Sequence, residues 1–146
     1  MNEQKLQLVT FEQAKRLKQL GYDWECYSRY WYDGELREEI HKSNWNDEEK
    51  NDHSYISAPA VALALKWIRD IKNIPYHIIT NINEDGNLLD YEFHYSWYTV
   101  YTGFYFTYEA AERDLLDELL KFLENQDKVL RFWIKGQMKP DRPYWI

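Results

Sequence analysis

A single cysteine, Cys26, has nothing to pair with inside the chain, so no internal disulfide is expected and a reducing compartment suits it. Glycine and proline are scarce, at 5 and 4 of 146 residues, which excludes collagen-like and linker-rich architectures. No apolar run approaches the roughly 18 residues a membrane span needs, so no membrane is expected as a partner. Met1-Asn2-Glu3-Gln4-Lys5 leads into no apolar signal region, and the expected location is the cytoplasm. Positive charge is also short. The 18 Lys and Arg against 25 Asp and Glu leave a net charge of −7 with no basic cluster, which would repel a nucleic-acid backbone. The patterns GxGxxG, GxxxxGK[ST], HExxH and GxSxG do not occur, so dinucleotide, P-loop, zincin and hydrolase-elbow chemistry lack their first requirement.

What is abundant is aromatic: 13 Tyr, 7 Trp and 6 Phe. Each buried phenol or indole needs a hydrogen-bond partner, so so many polar-tipped rings predict that several lie at the surface.

The stretch Ser57 to Ile71 is the most apolar in the chain. With Ser57 as N-cap and Pro59 in the first turn, it predicts a central helix without a solvent face in its first half. Before it, Thr10 and Gln13 form a capping box for a first helix, with Val9 placed to staple onto Ala14 and Gly21 to end it. Cys26 to Tyr32 alternates as a strand with Tyr27, Arg29 and Trp31 on one face, followed by a two-residue Asp33-Gly34 turn and a charged edge strand, Glu35 to Ile40. Residues 41–54 read as an exposed acidic loop in which Trp45 stands out as an anchor for a partner.

Beyond the central helix, Tyr76 to Ile82 and Tyr91 to Val100 alternate as strands, and Gly103 suggests a bulge or tight turn. Thr107 caps a last long helix with Glu109 and Glu112 near its positive end and Lys121 near its negative end. Residues 129–134 fit a short helix or a strand, within a C-terminal extension at 126–146. One domain, 1–146, is the natural size reading. The expected fold class is α+β, an antiparallel sheet of four to five strands with about three helices packed on one face.

Three motifs, LVTFEQAKRLKQLGYDWECYSRYW, SAPAVALALKWIRDIKNI and TYEAAERDLLDELLKFLEN, occur in that order over roughly residues 7 to 125. Their order resembles a family of small uncharacterised proteins from Bacteroidetes and their phages and mobile elements. The resemblance implies a phage or mobile-element accessory protein acting inside a bacterial cell. It transfers no activity and no catalytic residue.

Candidate chemistry is sparse, and no catalytic residue, metal site or cofactor is predicted. His77 and His94 fall on the less apolar face of neighbouring strands, where Glu92 and Asp90 would stand nearby, yet histidines on a polar sheet surface are common. Cys26 has only Arg29 near it in sequence and reads as a small buried hydrophobe. The aromatic strands are the better lead: Tyr27, Arg29 and Trp31 from one half, with Tyr98, Tyr101 and Tyr105 from the other. Two functions fit them. One is non-catalytic binding of a host or phage protein, with acidity favouring a basic partner surface. The other is capture of a small nucleotide-like ligand, a Tyr or Trp stacking on the base and Arg29 or Arg37 meeting a phosphate. An enzyme of unknown class ranks third, and the oligomeric state is left open.

Overall fold

Residues 6–51, 53–95 and 104–134 are described in the computed structural model, and the fold is α+β. The first helix, α1 (Phe11–Gln19), starts as its sequence dictates. Gln13 donates its backbone N–H to the Thr10 hydroxyl at 3.2 Å, and the Gln13 side chain accepts the Thr10 N–H at 2.9 Å. Val9 and Ala14, at the two staple positions, are both fully buried. The helix ends at a left-handed Gly21, φ +92°, with Tyr22 N–H reaching back to the Leu17 carbonyl at 3.0 Å.

Three strands follow: β1 (Cys26–Trp31), β2 (Leu36–Ser43) and β3 (Tyr55–Ser57), antiparallel in the order β2-β1-β3. The hairpin between the first two has three loop residues, not two. Trp31 N–H bonds the Glu35 carbonyl at 2.8 Å, and Gly34 takes the positive φ that such a loop requires. The edge strand also runs further than the sequence suggests, through His41, Lys42 and Ser43, so the connecting loop begins at Asn44. Between the pairs Cys26–Ser43 and Ser28–Glu38 the register slips, leaving Glu39, Ile40, His41 and Lys42 opposite Tyr27 alone.

The central helix, α2 (Val61–Ile71), begins later than expected. Ser57 is not its cap. It is a buried residue of β3, and Pro59 precedes the helix rather than opening it. Backbone from the N-terminal segment takes the capping role, Val61 donating to the Gln7 carbonyl at 2.8 Å, and Val9 N–H ties the same segment down on the Pro59 carbonyl at 3.0 Å. Nor is the helix buried all round. Val61, Ala64, Leu65, Trp67 and Ile68 face the core, while Ala62, Lys66, Arg69 and Asp70 face solvent.

The second pair, β4 (Tyr76–Ile82) and β5 (Leu88–Tyr95), forms its own antiparallel two-stranded sheet instead of extending the first. β1 is paired on both sides, and β3 is three residues long: Ala58 still donates to the Ser28 carbonyl at 2.9 Å, but Pro59, next in the chain, has no N–H to carry a ladder on. The last helix, α3 (Tyr108–Ile134), is capped by Thr107, whose hydroxyl accepts the Ala110 N–H at 3.1 Å. It runs unbroken through residues 129–134, so Lys121 lies mid-helix rather than at the negative end. Leu115, Leu116, Leu119 and Leu120 of α3 meet Ala14 and Leu17, Leu65 and Ile68, and Phe93 in one continuous core.

Candidate functional site: the outer face of the three-stranded sheet

Alternation along β1 turns Cys26, Ser28 and Tyr30 inward, where the Tyr30 hydroxyl donates to the Val9 carbonyl at 2.7 Å. Tyr27, Arg29 and Trp31 consequently share the outer face, as their spacing predicts. Across the sheet, Arg37 is the register partner of Arg29, and Tyr55 that of Trp31, which adds β2 and β3 side chains to the same face.

These residues form a ladder of rings and cations. The His41 ring lies 5.5 Å from Trp45. The Arg29 guanidinium lies 4.6 Å from the Trp45 ring and 3.8 Å from the Tyr55 ring. Tyr55 meets Trp31 edge-on at 4.9 Å, and the Arg37 guanidinium lies 5.6 Å from Trp31. At one end the face carries Tyr27, with Lys42 5.2 Å from its ring; at the other, Tyr32, which strand alternation would turn to the opposite face, lies in the hairpin loop beyond β1 and brings its ring 5.6 Å from Trp31. Cations over ring faces are attracted by the ring quadrupole, more strongly when desolvated.

Arg29 is the centre of this arrangement and is not free for a ligand. Its side chain is only 14% exposed and pairs with Glu39 at 2.7 Å. Its Nε is buried with no hydrogen-bond partner among the described residues, so ring faces and one carboxylate hold it in place.

Trp45 corrects an expectation. It is not an exposed anchor in the acidic loop: it is 5% exposed, and its indole N–H donates to the Cys26 carbonyl at 2.9 Å. The loop is fastened beside it, with Asn46 donating to the Tyr22 carbonyl and accepting the Ser57 N–H. Loop polarity therefore serves docking as well as solvation, and Trp45 roofs Arg29. The rings that remain most open are Tyr27, 52% exposed, and Tyr32, 66% exposed, with Trp31 half-buried and Arg37, His41 and Lys42 also exposed.

The histidine pair is closer than sequence alone could specify. His77 and His94 are direct register partners with rings stacked 5.2 Å apart, and Glu92 lies 3.5 Å from His94. Asp90 is taken by Asn81, which donates to it at 2.8 Å. Among the described residues no group of three or more His, Cys, Asp or Glu is placed to hold a metal ion. Cys26 is buried, and burial pushes its thiol pKa up against the opposing pull of the neighbouring Ser57 hydroxyl.

Of the other aromatic group, Tyr105 does not join the face. Tyr105 turns inward, stacked on Phe93 at 5.5 Å, and burial together with Asp114 raises its pKa to about 12. Tyr98 and Tyr101 lie outside the described residues. Tyr55, Arg37, Lys42 and Glu39 complete the site, and only Arg37 carried a signal beforehand. Tyr55 belongs to a strand too short to show alternation. No helix among the described residues is long and apolar enough to cross a membrane. No family model, curated protein or solved structure matches this chain.

Proposed function

We propose that this chain is a non-catalytic binding protein that offers the outer face of β1, β2 and β3 to a partner protein. The observation that supports this reading is the ladder from His41 through Trp45, Arg29, Tyr55 and Trp31 to Arg37, which holds exposed rings over a rigid base. Trp, Tyr and Arg dominate interface hot spots, and rings already fixed in place lose little entropy on binding. The net charge of −7 favours a partner with a basic surface and disfavours nucleic acid.

Capture of a nucleotide-like ligand draws less support. Of the two cations that role could use, Arg29 is already held by Glu39 and two rings, and Arg37 lies 3.7 Å from Glu35 and 5.6 Å from the Trp31 ring. The resemblance of the three helix motifs supports a setting inside a bacterial cell, as a phage or mobile-element accessory protein.

The test is affinity capture from a bacterial host lysate with the wild type, a Tyr27→Ala/Tyr32→Ala variant and a Leu88→Ala control on the other sheet. The expected result is a protein retained by the wild type and the control and lost by the double variant, with all three melting alike. Identical captures by all three would remove the outer face from consideration.

A further inference from the structure

We propose that the edge of β4 left unpaired among the described residues pairs with β4 of a second copy of this chain, joining two β4–β5 hairpins into one four-stranded antiparallel sheet. An unpaired edge strand is a row of open donors and acceptors, and proteins blunt such edges with charge, bulges or brevity. Two of the edges here are blunted. β2 carries Arg37, Glu38, Glu39 and Lys42 and slips register opposite Tyr27, and β3 is three residues long. β4 has none of these devices. Its seven residues, Tyr-His-Ile-Ile-Thr-Asn-Ile, contain no Asp, Glu, Lys or Arg, and the one irregularity in its ladder is an extra residue, Leu89, on β5.

The hydrogen-bond phase of that edge follows from its neighbour. Directly opposite residues in an antiparallel pair either exchange both backbone bonds or exchange none. Tyr91 is opposite Thr80, yet its N–H and C=O are both bonded to Tyr105 at 2.8 Å, on the far side of β5. Thr80 therefore points its own N–H and C=O away from β5, and so do Ile78 and Tyr76, two and four residues earlier. No backbone group among the described residues meets them.

The occupant follows from self-complementarity. A two-fold axis through Ile79 sets Ile79 against Ile79 of the second copy, with Ile78 opposite Thr80, His77 opposite Asn81 and Tyr76 opposite Ile82. The bonded pairs of this register are Ile78–Thr80 and Tyr76–Ile82, the residues whose backbone groups point outward. No like charges meet, which matters for a chain of net charge −7. Asp90 and Glu92 stay one strand back, on β5. The axis keeps each copy's helices on the same side of the joined sheet, and it covers Ile82, one of the most exposed aliphatic side chains.

Sedimentation velocity over a concentration series, with amide exchange on the same samples, tests this. The wild type is expected to move towards twice the mass of one chain as concentration rises, with the Ile78 and Thr80 amides becoming protected in step. Thr80→Pro removes an outward N–H without touching the β4–β5 ladder, and it should stay at one chain mass with an unchanged circular dichroism spectrum. If that variant fails to fold, Thr80→Lys, which places a charge at the edge, must give the same loss of association. A wild type that remains at one chain mass at its highest attainable concentration overturns the proposal. So does a dimer that survives the folded edge variants.

Discussion

Trp45 donates its indole N–H to the carbonyl oxygen of Cys26 at 2.9 Å, and this one bond turns a loop residue into the roof of a sheet. The same ring covers the Arg29 guanidinium, so removing it would uncover a cation and orphan a carbonyl together. Trp45→Ala is expected to cost about 3–5 kcal/mol of stability. Trp31→Ala, at a half-buried ring on the same face, should cost clearly less. Urea melts of the two variants side by side check the ordering, and a Trp45→Ala protein as stable as the wild type would mean that the loop is not docked.

Leu65 and Ile68 lie at the meeting of α2 with the rest of the core, and both are fully buried. Leu65→Ala should destabilise by about 2–5 kcal/mol, through lost transfer energy and the cavity left behind. A change below about 0.5 kcal/mol in a urea melt, the range of ordinary surface substitutions, would place the helix at the periphery.

The tyrosines predict alkaline lability. Burial, the first cause in each case, raises the pKa of Tyr22, Tyr30, Tyr76, Tyr95 and Tyr105, the last to about 12 from an ordinary value of 10.0. Below pH 10 both folded and unfolded chains keep these protons, so the stabilisation is fully present. Above it the unfolded chain releases them first, and stability falls as pH rises through the folded values. Ultraviolet titration of tyrosinate should show a late-titrating class that collapses onto the ordinary value in denaturant. A single unshifted titration in the native protein would contradict the burial of these rings.

Local chemistry was legible in the sequence, and long-range chemistry was legible only in part. The Thr10–Gln13 box and the Gly21 stop involve residues close together in the chain, so spacing alone specifies them. The outward face of Tyr27, Arg29 and Trp31 follows from strand period. The polar surroundings of Trp45 suggest solvent, whereas Asn46 and Asn51 use that polarity to bind backbone. Ser57 looked like a cap because no local signal reveals that Gln7 supplies the acceptor from far along the chain. Alternation puts the two histidines on a common face, but their direct pairing depends on the β4–β5 register, which no single strand contains.

The outer face is tested most directly by the affinity of a captured partner, measured by calorimetric titration against the wild type and the Tyr27→Ala/Tyr32→Ala variant. These two rings are the most exposed aromatics of the face, and truncating hot-spot residues costs at least about 2 kcal/mol, roughly a thirtyfold loss in affinity. A loss of that size with an unchanged melting temperature is the expected result. An affinity equal to that of the wild type would place the partner elsewhere on the molecule.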